Sequence, residues 1–220
     1  PVVLLPNTGV VSEREVAMLS DYVQAGGNLL VTGLCGCYDR LGHFQNKSSL
    51  ETLIGGRLVR KLDSLDNWVQ FAPSESIAGK AIAEGIPHAR PMAFGTRETE
   101  SVPFLVMGPA AVFEPTTAET AGLLFTPYRT TRQRENKEGT EWPMSAEAPV
   151  GPAVLVHHLG KGTVLAFACS PDVATGSEHH IAEARRLLAN AVRFLHPEPP
   201  VRITAPATVE AIVTDEFATR

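Results

Sequence analysis

The residues best placed to do chemistry begin with Cys35. It sits in Gly33-Leu34-Cys35-Gly36-Cys37, directly after the apolar run Asn28 to Thr32. A glycine-flanked turn leaving a buried strand can expose a thiol beside backbone N–H groups. Those donors would hold an oxyanion, and a nearby helix N-terminus would favour the thiolate. Such a nucleophile needs a histidine base. His157 and His158 end another apolar run, and only one of the two can point to a given sheet face. His196-Pro197-Glu198 offers a further histidine beside a carboxylate. It closes a helical pattern, however, where histidine is a common dipole-compatible terminal residue. With no triad partner placed, Cys35 reads best as a small apolar residue filling a tight turn.

Other groupings carry less. Thr8, Cys35 and Asp172 each follow an apolar run, so they line a candidate ligand crevice at the carboxyl ends of strands. Cys35 and Cys37, taken with His157-His158 or His179-His180, lack the spacing of a structural zinc site, and no metal is expected. Asp172 and Glu178 have no paired acid at a known separation and read as solvated loop carboxylates. Trp68 and Trp142 fall in irregular segments, where a sugar, an interface or simple packing are all open. No P-loop is present, no G-x-G-x-x-G follows a strand and opens a helix, and no cofactor is expected.

Composition excludes several classes. The 220 residues suffice for a real core. A net charge of −5 without any basic run argues against nucleic acid and anionic membrane surfaces as partners. The apolar runs are too short to span a bilayer, and no signal-like segment opens the chain. Three cysteines make no disulfide framework, and the odd count points to a reducing compartment, the cytoplasm.

The elements that must position these residues are clearest at the two ends. Val2 to Leu5 is a short apolar run closed by Pro6-Asn7-Thr8-Gly9, as expected of a parallel strand covered on both faces. Ser12 with Glu15 forms a capping box, and Val16, Leu19 and Val23 recur at helical spacing until Gly26-Gly27. Asn28 to Thr32 is the next strand, so the unit is strand–helix–parallel strand. Ser48 to Ile54 reads as a helical turn ended by Gly55-Gly56, and residues 57–100 are left unassigned. Val112-Phe113 and Leu123-Leu124-Phe125 read as short strands, and residues 128–149 as an exposed excursion. Val154 to His158 and Val164 to Ala168 flank Gly160-Lys161-Gly162, a hairpin signal. A helix follows from about Ile181, with Ala184, Leu188, Ala191, Val192 and Leu195 on one face, until Pro197. Further β structure is expected after Pro200.

Three stretches carry a resemblance: Val3-Leu4-Leu5-Pro6-Asn7, Tyr22-Val23-Gln24-Ala25-Gly26-Gly27 and Leu29-Leu30-Val31-Thr32-Gly33. Together with Leu159-Gly160-Lys161-Gly162-Thr163-Val164 and Leu187-Leu188-Ala189-Asn190-Ala191-Val192, they resemble the class I glutamine amidotransferase-like domain. The closer likeness is to its version in family 42 β-galactosidases and related glycosidases, where it is called the trimerisation domain. The resemblance implies a flavodoxin-like three-layer α/β fold with a mostly parallel sheet over residues 1–198, and the start of a small β domain over 199–220. It implies a non-catalytic, self-associating accessory domain, a trimer in the family. The catalytic carboxylates of such enzymes lie in a (β/α)8 barrel absent from this sequence. A strand and helix that precede this segment in the family are missing here, so the chain reads as a fragment with an open sheet edge. In the catalytic relatives the nucleophile turn is G-x-C-x-G. This chain matches four places and carries Cys37 at the fifth. The alternatives implied are a cysteine-dependent hydrolase using Cys35, or a small-molecule-binding module using the crevice.

Overall fold

A computed structural model describes residues 2–72, 75–86, 101–127, 148–176, 181–198 and 212. The expected first unit is present. Strand β1 (Val2–Leu5) leads to helix α1 (Glu13–Gln24) and then to β2 (Asn28–Thr32), which lies parallel to β1 with Val3 opposite Leu29. The capping box is complete. The Glu15 N–H donates to Ser12 Oγ at 3.3 Å and the Ser12 N–H to Glu15 Oε2 at 2.8 Å, so two otherwise orphaned helix donors are satisfied.

The middle and C-terminal elements follow. Helix α2 (Glu51–Ile54) ends at Gly55, whose φ of 66° takes the left-handed cap that a side chain would strain. Strands β3 (Gly56–Lys61) and β4 (Asp66–Gln70), with helix α3 (Ile77–Ile82), occupy the stretch left unassigned from sequence. Strands β5 (Phe104–Met107), β6 (Ala111–Pro115) and β7 (Glu119–Phe125) come next. Strands β8 (Gly151–Leu159) and β9 (Gly162–Phe167) form the expected hairpin, followed by helices α4 (Pro171–Gly176) and α5 (Ala182–Leu195).

The expectation of a mostly parallel, flavodoxin-like sheet is corrected. The main sheet has strand order β1-β2-β9-β8-β7-β4-β5, and β3 and β6 form a separate antiparallel pair. Only β1–β2 and β2–β9 are parallel; β9–β8, β8–β7, β7–β4 and β4–β5 are all antiparallel. The mostly parallel sheet is implied by the resemblance; the residues themselves indicate one parallel pair at the start and a hairpin at β8–β9, and both are present. Here β8 buries Ala153, Val154, Leu155 and Val156 in succession although it is antiparallel. Helix α2 and strand β6 pack against it, so its second face is also dry. The β structure expected after Pro200 and the excursion at 128–149 fall almost wholly outside the described residues.

Helix α5 buries Ala184, Leu187, Ala191 and Leu195, and one polar residue among them, Asn190. Its amide donates to the Ile82 and Glu84 carbonyls at 2.8 and 2.7 Å, which ties α5 to the end of α3 and satisfies a buried amide. Helices α1 and α5 both pack on β2 and β9, and β2 is buried from Leu29 through Thr32. The three parallel strands therefore project their carboxyl ends into one set of loops: Pro6 to Val11, Gly33 to Cys37, and Ala168 to Asp172. Among the described residues no helix is long and apolar enough to cross a membrane.

Candidate functional site

Those loops hold most of the residues singled out from sequence, and they are closely laced together. Asn7, at φ 45°, takes the left-handed region that asparagine tolerates better than most residues. Its N–H donates to Thr32 Oγ1 at 2.9 Å, and its Oδ1 accepts the Leu34 N–H at 2.9 Å. The Thr8 N–H donates to Cys35 Sγ at 3.0 Å, and the Cys35 thiol donates to the Leu5 carbonyl at 3.0 Å. Thr8 and Cys35 are thus brought into direct contact. Sequence reading passed over Asn7; its signal was an asparagine in a Pro-Asn-Thr-Gly turn, a residue type that tolerates this backbone and bonds neighbouring main chain.

Four of the five main-chain donors of the turn are turned inward. The Gly33 N–H reaches the Cys169 carbonyl at 2.9 Å, the Gly36 N–H the Thr8 carbonyl at 2.9 Å, and the Cys37 N–H the Leu34 carbonyl at 3.2 Å. With the Leu34 N–H held by Asn7, these four main-chain donors are all engaged within the protein. An oxyanion hole requires donors aimed at an unoccupied position. The side chain at Cys37, where the catalytic pattern has glycine, is fully buried, and its thiol donates to the Cys35 carbonyl at 3.4 Å.

The thiol itself is shut in. Cys35 is 2% exposed. Burial pushes its pKa up to about 11, against the lowering effect of the Thr32 and Thr8 main chain, and the Asp172 carboxylate adds to the rise. Burial likewise raises Cys37 and Cys169 to about 12 each. Asp172, at the start of α4, therefore lies close enough to Cys35 and Cys169 to be felt by both. Its Oδ1 is buried without a hydrogen-bond partner among the described residues.

The histidines are elsewhere. His157 and His158 pair with Val164 and Thr163 at the amino end of β9, whereas Cys35 follows the carboxyl end of β2, where Thr32 pairs with Phe167. Because β8 runs antiparallel to β9, its carboxyl end points away from Cys35, and the suggested Cys35–histidine pairing is not made. His196 caps the C-terminus of α5, its N–H donating to the Val192 carbonyl at 2.8 Å. The neighbouring Leu195 carbonyl accepts from Asn28 at the amino end of β2, so His196 also sits at the far end of the sheet. His179, His180, Glu178 and Trp142 lie outside the described residues. Among those described, no group of three or more histidine, cysteine, aspartate or glutamate side chains is arranged to hold a metal.

His157 has a structural post instead. Its Nδ1 lies 2.8 Å from the Leu53 carbonyl, which can only accept, so Nδ1–H donates there, and Nε2 lies 3.0 Å from the Thr117 hydroxyl. This clamps the end of α2 to the β6–β7 turn. Replacing His157 with alanine removes both bonds; the exposed Thr117 hydroxyl turns to water, while the part-buried Leu53 carbonyl loses its donor. The expected loss is roughly 0.5 to 1.5 kcal/mol, read as a lower urea midpoint; an unchanged midpoint would remove the clamp as a contributor.

No family model matches the sequence, and no curated protein matches it. Solved structures do share the fold. One is α-L-fucosidase isoenzyme 2 from Paenibacillus thiaminolyticus, with a TM-score of 0.58 and 17% identity over 88% of this chain and 24% of that one. A second is a β-galactosidase from Rahnella sp. R3, with a TM-score of 0.52 and 18% identity over 87% of this chain and 22% of that one. A third is a β-galactosidase from Bacillus circulans sp. alkalophilus, with a TM-score of 0.52 and 15% identity over 88% of this chain and 22% of that one. At such identities the likeness is one of fold. In each case this chain spans less than a quarter of the larger protein.

Proposed function

We propose that this chain is a non-catalytic accessory and oligomerisation domain of a multidomain glycoside hydrolase resembling β-galactosidase, of the amidotransferase-like kind. One observation carries the non-catalytic part. The Cys35 sulfur is closed between the Leu5 carbonyl and the Thr8 N–H, while all three described candidate histidines stand at the opposite end of the sheet. The likeness in fold to one stretch of an α-L-fucosidase and two β-galactosidases supports the setting in a larger enzyme. Strand β1 supports association: among the described residues it pairs on one side only, carries no charge, and leaves Leu4 49% exposed.

The test is sedimentation of the chain at tens of micromolar, with a glutaminase assay on the wild type and Cys35→Ser. A discrete assembly with no turnover in either protein is expected. A monomer at high micromolar concentration would overturn the oligomerising role. Glutamine hydrolysis abolished by Cys35→Ser would overturn the non-catalytic one. A second reading, a small-molecule-binding module, is favoured by the unpartnered Asp172 Oδ1 near Cys35 and its neighbour Thr8. A metabolite with a donor for that oxygen would raise the melting temperature.

A further inference from the structure

The turn that follows the cysteine loop is joined to the covering of Cys35 by an unbroken run of hydrogen bonds. Its centre is Asp39. Oδ1 of this residue accepts the N–H groups of Leu41 and His43, both at 2.9 Å. Its other oxygen accepts Gln45 Nε2 at 3.2 Å and lies 3.3 Å from His43 Nδ1. The carboxyl is held below its ordinary range, first by the His43 N–H. Tyr38 and Phe44 bridge the two ends of the turn, with their rings edge to face at 5.6 Å.

Both ends lead to the buried thiol. The Gln45 N–H donates to the Cys37 carbonyl at 2.7 Å. The Tyr38 N–H donates to the Gly9 carbonyl at 2.9 Å, and the Tyr38 ring lies so close that a Cβ on Gly9 would fall 2.9 Å from Tyr38 Cδ2. Gly9 follows Thr8, whose N–H closes on the Cys35 sulfur at 3.0 Å. The cysteine turn has supports of its own. The Ser48 hydroxyl donates to the Cys35 carbonyl at 2.8 Å, the Ser49 N–H to the Gly36 carbonyl at 2.9 Å, and the Leu34 N–H to Asn7. Release of residues 38–45 therefore leaves Cys35 in place and frees the Thr8-Gly9 segment that covers it. Cys169 is different: it is fully buried, it follows the interior strand β9, and none of these bonds reaches it.

We propose that residues 38–45 are a strap, with Asp39 as its catch, that holds Thr8-Gly9 over the Cys35 thiol, and that local release of this strap uncovers the thiol while the sheet stays folded. Cys35 is then a cryptic thiol, open to soft electrophiles in the released state alone.

Alkylation of the native full chain by iodoacetamide at pH 8 tests this, resolved cysteine by cysteine by mass spectrometry over a urea series below the unfolding transition. Each sulfur displaces iodide and gives up its proton to the buffer, so the rates report exposure. The Cys35 rate should rise little with urea, because releasing a short strap exposes little surface, whereas the Cys169 rate should climb with the full slope of global unfolding. Asp39→Ala removes several bonds to one carboxylate and is expected to speed Cys35 by about tenfold. Asp39→Asn, whose Oδ1 still accepts both N–H groups, should keep most of the protection. His157→Ala is the matched control, since it weakens the fold at the opposite end of the sheet. Cys169 should speed in both alanine variants, because global unfolding breaks strap and clamp alike, but Cys35 should speed in Asp39→Ala alone. Equal, steep urea slopes for Cys35 and Cys169 would overturn the strap. So would an unchanged Cys35 rate in Asp39→Ala, or an equal acceleration of Cys35 in His157→Ala.

Discussion

Native chain mixed with a thiol reagent at pH 8 is expected to react far more slowly than the same chain in denaturant, where all three cysteines respond. Reactivity follows the thiolate fraction. Raising the Cys35 pKa from 9.0 to about 11 cuts that fraction at pH 8 by roughly 100-fold. Burial of the sulfur between Leu5 and Thr8 slows approach further. Cys37 and Cys169, at about 12, should be slower still. A native rate–pH profile that stays low to about pH 10 and then climbs is the expected result. A fast phase near neutral pH, lost in Cys35→Ser, would mean that the thiol is activated and the non-catalytic reading is wrong. The same shifts make stability depend on pH with a definite sign. Each thiol binds its proton more tightly in the folded chain than in the unfolded one. The resulting stabilisation is therefore complete below about pH 9 and is lost as pH rises through about 11 to about 12. Alkaline unfolding should set in over that window, and a stability flat across it would contradict the burial of the thiols.

Gly162→Ala should be among the most damaging single substitutions in the fold. Gly162 begins β9 directly after the hairpin turn, where the end of α1 crosses it, and the Lys161 N–H donates to the Gln24 carbonyl at 3.2 Å. A Cβ at residue 162 would fall on the carbonyl oxygens of Gly27 and Val23. Those are main-chain atoms at the helix end, so the contact is relieved only by lifting α1 from the sheet or by moving β9. Either shift separates buried Val23 from its neighbours in the core. The expected cost is about 3 kcal/mol or more, at or above the usual upper end for overpacking because the clash is with main chain, measured as a fall in urea midpoint. Gly176→Ala serves as the control. Among the described residues nothing lies within 4 Å of its added Cβ, so it should change stability by no more than about 0.5 kcal/mol. Equal effects from the two would show that the packing of α1 on the hairpin is not what holds this end of the molecule.

Both predictions depend on parts of the chain that differ in how far they could be read beforehand. The α1 capping box, the Gly26-Gly27 stop, the β8–β9 turn and α5 are written in spacing and glycine placement, and all are present. Strands β3 and β4 and helix α3 were not legible. Their apolar residues are few and interrupted, and they order only by pairing with β6, β5 and β7 or by packing under α5. The contact of Thr8 with Cys35 follows from two parallel strands ending side by side, so it was within reach of sequence.

The sequence by itself determined where helices and hairpins begin and end, because capping, helical periodicity and left-handed glycines act within a few residues. It also placed Cys35 in a tight turn at the end of a strand. Only the tertiary structure decided what that cysteine can do. A strand covered on both faces is apolar whichever way it runs, so side-chain pattern carries no record of direction. Direction alone sends His157 and His158 to the end of the sheet remote from Cys35. Burial was likewise settled by the loops after β1 and β2, which close over the sulfur from distant parts of the chain and raise the thiol out of the reactive range.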